Sequence, residues 1–182
     1  MLNRILPHAK FLAREVTESV DTVIDATCGN GHDTLFLAEL VPDGQVYSFD
    51  IQEIALLNAK DKTSAFHNIE YILDSHARVD KYVNSKISAA MFNLGYLPSG
   101  DKSITTKKDS TLEAIDKMFD LLKIGGRIII VVYHGHDAGK EEKEALETHL
   151  QQYDQAHAQV LRYEFMNFKN NAPFLLVVEK LK

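Results

Sequence analysis

The run Val23-Ile24-Asp25-Ala26-Thr27-Cys28-Gly29-Asn30-Gly31-His32-Asp33-Thr34 constrains this chain more than any other stretch. It reads as a buried strand, a glycine turn and the first turn of a helix. About twenty residues on, Val46-Tyr47-Ser48-Phe49-Asp50 reads as a second strand that ends in a carboxylate. Glycine is needed where backbone adopts unusual dihedrals or lies against a ligand without a Cβ in the way. An acid at the tip of the next strand is where a ribose offers its hydroxyls. The two features describe an adenosine-containing cofactor lying across the edge of a parallel sheet.

A dinucleotide fingerprint places a third glycine three residues after the second. That position is Thr34 here, and Asp25 on the first strand is no part of the dinucleotide pattern. Strand-Asp-x-x-x-Gly-x-Gly resembles motif I of the S-adenosylmethionine-dependent methyltransferases, with Asp50 in the place of their ribose-binding acid. The resemblance implies an α/β fold of class I methyltransferase type: a Rossmann-like, doubly wound, mostly parallel sheet.

The length of 182 residues suits one domain over 1–182 with a full core, and 45% of residues are hydrophobic, as in a globular chain. No apolar run approaches the roughly 20 residues needed to span a bilayer, so no membrane association is expected. The start of the chain lacks the pattern of a secretory signal, and its one cysteine forms no internal disulfide. A reducing, cytoplasmic setting fits. The formal charge of −6 argues against coating nucleic acid, because phosphate neutralisation supplies most non-specific affinity. It leaves room for a small contact patch at Lys102, Lys107 and Lys108, or at Lys81 and Lys86.

Apolar spacing predicts a first helix within 2–19, then a strand over 22–26 and a helix over 32–40. Pro42-Asp43-Gly44 turns the chain into a strand over 45–50. A helix over 54–66, a strand over 69–73, a short helix over 77–83 and a buried strand over 87–92 follow. Residues 95–108 read as a loop. A helix over 111–122, capped near Ser110 and closed by Gly125-Gly126, leads to a strand over 127–132. A charged helix over 140–150 precedes strands over 159–165 and 174–179, which a short connection makes an antiparallel hairpin. No second nucleotide-binding half has room here, which again disfavours a dehydrogenase.

In such a sheet ligands bind beyond the carboxyl ends of the strands. Asn30 and the amides around Gly29 and Gly31 are candidates for the amino-acid end of the cofactor, with Asp25, Cys28 and Asp33 in the same loop. Asp50 is the candidate for the ribose, with Gln52 beside it, and Ser75 and His76 for the adenine edge. The fourth strand ends Asn93-Leu94-Gly95-Tyr96-Leu97-Pro98, which is similar to the Asn-Pro-Pro-Tyr-type motif of methyltransferases that modify exocyclic amines. There an Asn side chain and the next carbonyl accept hydrogen bonds from the amine, which must be oriented and must shed a proton. Leu94-Gly95 replaces the Pro-Pro pair. Tyr133-His134-Gly135-His136 puts a phenol and two imidazoles beside the same cleft, for substrate contact or proton acceptance. No third ligand joins the histidines at a metal-binding spacing, so no metal is expected. Cys28 sits inside the cofactor turn and is set aside as a nucleophile, which favours a nitrogen or oxygen acceptor over a pyrimidine carbon.

Asp25–Thr34, Phe49–Glu53, Phe92–Pro98, Gly100–Thr106 and Val131–His136 resemble the corresponding blocks of the YtqB/MnmM family of Gram-positive bacteria. Family members were first labelled rRNA methylases. The resemblance implies S-adenosyl-L-methionine as cofactor and the tRNA anticodon stem-loop as partner. It implies conversion of 5-aminomethyl-2-thiouridine at the wobble position to 5-methylaminomethyl-2-thiouridine. On this reading Asn93, Tyr133 and His134 are catalytic, while Leu94, Gly95, Tyr96, Lys102, Ser103, Thr105, Gly135 and His136 meet the substrate. A homodimer is one assembly compatible with it. Methylation of rRNA or of a small-molecule amine, and a non-catalytic cofactor-binding regulator, are the alternative readings.

Overall fold

Residues 87–94 alternate between two apolar environments, and that alternation organises the molecule. In the computed structural model, which describes residues 1–95 and 108–182, this segment is β4 (Ile87–Leu94). Before it come α1 (Ile5–Arg14), β1 (Thr22–Asp25), α2 (His32–Leu40), β2 (Gln45–Asp50), α3 (Glu53–Lys62), β3 (Ile69–Leu73) and a 3₁₀ helix (His76–Lys81). After it come α4 (Lys108–Leu121), β5 (Leu122–Val132), α5 (Asp137–Leu150), β6 (Ala158–Tyr163) and β7 (Phe174–Lys180).

The strands form one seven-stranded sheet in the order β3-β2-β1-β4-β5-β7-β6. β1 pairs parallel with β2 and with β4, as do β2 with β3 and β4 with β5. β7 runs antiparallel to both β5 and β6. This is the expected α/β arrangement, a Rossmann-like doubly wound and mostly parallel sheet with a C-terminal antiparallel hairpin. The order reverses between β1 and β4, which opens a crevice at their carboxyl ends.

Because side chains alternate along a strand, each face has its own core. Val23, Ala89, Met91, Ile129 and Val131 pack with α1 and α2. Ile24, Phe92, Leu94, Ile128 and Ile130 pack with α4, α5 and the 3₁₀ helix. Arg127 ties α1 across the first face, with Nη1 donating to Leu12 O and the Glu15 carboxylate and Nε donating to Glu179. No described helix is long and apolar enough to cross a membrane.

Several boundaries differ from expectation, among them the helix expected over 54–66, which ends at Lys62, and three others have a clear physical reason. The first helix stops at Arg14, because the chain then turns toward the sheet and the Thr17 hydroxyl bonds that of Ser88 at 3.0 Å. Gly125 and Gly126 do not close a helix but lie inside β5, where the ladder steps from Ile87↔Leu122 to Ala89↔Arg127. That register shift is a bulge, and Gly125 takes the φ of +80° that the kink requires. α4 begins at Lys108, which puts Ser110 within the helix instead of at its cap.

Candidate active site

The glycine turn after β1 is held by its own backbone. Gly29 and Gly31 have φ of 54° and 84°, a region side chains avoid. A Cβ on Gly31 would stand 2.8 Å from the Cα and Cβ of Ala59 in α3, so this glycine also permits the loop to lie against that helix. Asp50 at the tip of β2 receives two backbone donors: Gly29 N–H on Oδ2 and Gln52 N–H on Oδ1, both at 2.9 Å. A carboxylate has about four lone-pair sites, so each Asp50 oxygen keeps a site for a further donor. The Asn30 side-chain oxygen accepts from Asn58 Nδ2 at 3.2 Å.

Beneath the turn lies a polar network that sequence reasoning missed apart from Asp25 itself. Thr34 Oγ1 donates to Asp25 Oδ2 at 2.6 Å, and Thr27 N–H donates to Oδ1 at 3.2 Å. Thr34 Oγ1 also lies 2.8 Å from Ser48 Oγ. Its one proton is committed to Asp25, so the Ser48 hydroxyl is the donor in that pair. Asp25, Thr34 and Ser48 are all buried. Burial pushes the Asp25 carboxyl up to about 7, with the charges of Asp33 and Asp50 adding to the shift and the hydrogen bonds from Thr34 and Thr27 opposing it. Thr34 occupies the place where a dinucleotide fold has its third glycine. A hydroxyl at that position, nine residues after a strand-end acid, was the available signal.

The acceptor side is assembled from β4, β5 and the first turn of α2. Asn93 N–H donates to Thr27 Oγ1 at 2.7 Å, and Asn93 Nδ2 donates to Asp33 Oδ2 at 3.4 Å. Asn93 continues the face of Ala89 and Met91, and Tyr133 packs against that same core. Burial raises the Asp33 carboxyl, while the Asn93 hydrogen bond and the charges of Lys10 and His32 oppose the rise. Burial and then the Asp33 charge raise the Tyr133 phenol, so it stays protonated at neutral pH. The Leu94 side chain belongs to the core, which leaves its carbonyl as the group at the cleft. Gly95 is the last described residue of this tip; Tyr96, Lys102, Ser103 and Thr105 lie outside the described residues, as do Lys107 and the rest of the basic cluster up to it.

His134 falls on the opposite face from Asn93, edge-on to Phe174 at 5.5 Å between ring centres. Its Nε2 lies 3.0 Å from Ala172 O. A carbonyl only accepts, so Nε2 carries the proton and Nδ1 is the basic nitrogen. His136 caps α5, its Nδ1 accepting from Gly139 N–H at 3.1 Å, and Gly135 is exposed between them. Ser75 Oγ accepts from Ala77 N–H and caps the 3₁₀ helix. His76 is buried, with Nδ1–H donating to Ala26 O at 2.8 Å and its pKa lowered by burial. Cys28 is buried, and desolvation pushes its thiol up to about 12, the opposite of what a nucleophile needs. Among the described residues no three His, Cys, Asp or Glu side chains gather as a metal site. A cavity of about 580 Å³, lined by Phe119, Tyr153, His157 and Lys180, lies at the opposite edge of the sheet and includes none of the candidate residues.

A family profile described as "Putative rRNA methylase" matches residues 46–179. A curated relative from Arabidopsis thaliana, the chloroplastic tRNA (mnm(5)s(2)U34)-methyltransferase, is 40% identical over 153 residues. The match covers 76% of this chain and 56% of the relative, so the chain spans little more than half of that protein's length. Among solved structures, a "putative rRNA-methylase" from Clostridium thermocellum superposes with a TM-score of 0.97 at 42% identity, with both chains fully covered. A "putative methyltransferase" from Streptococcus mutans in complex with SAH superposes with a TM-score of 0.93 at 42% identity, again over the whole of both chains.

Proposed function

The chain belongs to the family described as "Putative rRNA methylase", and on that premise we propose that it is an S-adenosylmethionine-dependent N-methyltransferase acting on tRNA. Its acceptor is the aminomethyl group of 5-aminomethyl-2-thiouridine at the wobble position, which becomes 5-methylaminomethyl-2-thiouridine. The whole of 1–182 serves as one methyltransferase domain, and the anticodon stem-loop is its partner. One buried thiol and a tRNA substrate suit a cytoplasmic site of action.

The observation that carries this reading is the hydrogen bond from Asn93 N–H to Thr27 Oγ1. It joins the tip of β4 to the chain leading into the glycine turn, so an amine-orienting group and a cofactor seat share one network at the β1/β4 switch point. The naming of the Arabidopsis relative, which is 40% identical, supports the choice of a wobble nucleoside.

The residues present suit the cofactor. The positive φ at Gly29 and Gly31 and the close approach of Ala59 make a tight turn in which two of the residues carry no side chain. Asp50, already fixed by two amides, would accept from the ribose hydroxyls. When bound, S-adenosylmethionine supplies an electrophilic methyl group on a sulfonium. Asn93 Oδ1 and the Leu94 carbonyl would accept from the two N–H bonds of the substrate amine and so orient its lone pair for attack. The amine must be neutral to attack. Tyr133, on the Asn93 face, remains a proton donor, and His134, on the opposite face with Nδ1 as its basic nitrogen, takes the leaving proton only through a relay outward from the amine.

Nucleoside mass spectrometry of tRNA from a strain lacking the gene tests the reading. Accumulation of the unmethylated 5-aminomethyl-2-thiouridine is expected. An unchanged tRNA nucleoside profile would overturn it.

A further inference from the structure

Asp33 follows the glycine turn in sequence and reads there as part of the cofactor loop, yet its carboxylate meets Asn93 across the cleft. We propose that Asp33 is a positioning residue for the methyl acceptor: by accepting a hydrogen bond from Asn93 Nδ2 it decides which end of that amide faces the substrate, and so selects an acceptor that presents N–H. The inference rests on the amine-methylation reading above.

A side-chain amide has a donor end and an acceptor end of nearly the same shape. Nothing in the size of Asn93 distinguishes the two orientations; only the hydrogen-bond partners do. An ionised carboxylate accepts and never donates. With Asp33 Oδ2 at 3.4 Å, the nitrogen end turns to Asp33 and Oδ1 is left for the cleft. The Asn93 backbone is fixed separately, by its N–H on Thr27 Oγ1, and Thr27 in turn by its N–H on Asp25 Oδ1. The remaining freedom is rotation of the amide itself, and Asp33 removes it.

Asp33 is better placed than Asp25 to carry charge, against the burial that raises both. It lies in the first turn of α2, where the helix dipole favours negative charge. Lys10 and His32 add positive charge nearby, and no such neighbours act on the fully buried Asp25. The consequence for the substrate is selectivity. An amine finds acceptors for its N–H bonds, whereas an acidic group at the same point meets Asn93 Oδ1 and, behind it, the Asp33 charge.

The swap of the two side chains tests this. In Asp33→Asn the new amide can donate to Asn93 Oδ1 and let the Asn93 nitrogen turn into the cleft. Turnover on tRNA bearing the aminomethyl nucleoside should fall about tenfold to a hundredfold, with the Kd for S-adenosylmethionine changed by no more than about twofold. Adding Asn93→Asp to Asp33→Asn gives the amide donor at position 33 a carboxylate to pair with at 93 and returns an acceptor to the cleft, so turnover should recover at least about fivefold over the single variant. Wild-type turnover in Asp33→Asn, a loss explained by weaker cofactor binding, or no recovery in the double variant would overturn the assignment. A second readout needs no activity. The Asn93 side-chain amide resonance in 1H–15N spectra, identified by its loss in Asn93→Ala, should shift in Asp33→Ala. An unmoved resonance overturns the contact whatever the enzyme methylates; a shifted resonance in a protein inert on tRNA upholds the contact and sinks only the substrate reading.

Discussion

The two sides of the cleft are built from different materials. On the cofactor side the working parts are mostly backbone: two glycines at positive φ, and the amides of Gly29 and Gln52 that lock Asp50. On the acceptor side they are side chains from three separate elements, Asn93 of β4, Tyr133 after β5 and Asp33 of α2. A seat made of backbone tolerates changes in most side chains around it but demands residues without a Cβ at a fixed spacing. An arrangement of side chains makes no such local demand, since each member is held by a partner distant in sequence. The first kind of site binds, and the second chooses and orients.

The largest effect should come from removing the orienting group. Asn93→Ala is expected to lower turnover about a hundredfold or more, with cofactor affinity nearly unchanged, as measured by single-turnover kinetics beside calorimetry. A comparable loss of cofactor affinity would erase the division between the two sides.

Next in size is the cofactor side. Asp50→Ala removes charge-assisted acceptors, each worth about 1.5–3 kcal/mol, and should raise the Kd for S-adenosylmethionine at least about tenfold while turnover at saturation changes much less. Unchanged affinity in the folded variant would take Asp50 out of the site.

A buried carboxyl away from the cleft sharpens the contrast in stability. Glu142 of α5 is buried and accepts from Thr111 Oγ1 at 2.7 Å, and burial pushes it from an ordinary 4.5 up to about 7. The folded state therefore holds a proton across that window which the unfolded state has released, so stability falls as pH rises from about 4.5 to 7. Glu142→Gln keeps an oxygen for Thr111 and removes the titration. It should be about 1–3 kcal/mol more stable than wild type at pH 8, with no gain at pH 4 and unaltered turnover. Denaturant unfolding at the two pH values decides it. Equal gains at both would mean that packing, not the proton, is responsible. Asp25, fully buried and raised in the same sense, leaves a residual slope of the same sign in the variant.

The smallest expected response is that of the single thiol. With Cys28 buried and pushed up to about 12, iodoacetamide at pH 7.5 should label the native protein far more slowly than the unfolded chain, by about a hundredfold or more. Labelling at the unfolded rate would show that the turn opens.

The cofactor side was legible in the sequence for a physical reason. Gly29 and Gly31 are required by local dihedrals, and Asp50 by its place at the end of a period-two run, so spacing alone located them. The strand faces came from the structure, where alternation puts Asp25, Asn93 and Tyr133 on the side of Val23, Met91 and Val131. Helix ends were not legible in the sequence either. The apolar stripe of the first helix continued to Val16 and Val20, but Val20 is 65% exposed and the helix had already ended at Arg14. The glycine pair 125–126 carries a helix-stop signal that is indistinguishable in sequence from a bulge signal, and only the pairing of β5 with β4 tells them apart.

Sequence by itself determined the class of fold, the glycine turn and the ribose acid, because these rest on interactions within one segment or between segments of regular period. Tertiary structure alone decided that Thr34, read as a missing glycine, is the donor to Asp25, and that Ser48 supports it from the next strand. It also decided that the histidines of one tetrapeptide diverge, His134 to the β6–β7 connection and His136 to the cap of α5. Asp33 is the sharpest case. Its neighbours in the chain belong to the cofactor turn, while its hydrogen-bond partner is sixty residues away on β4. Which way a side chain turns at the end of a strand depends on the partner that satisfies it, and that partner is supplied by the fold.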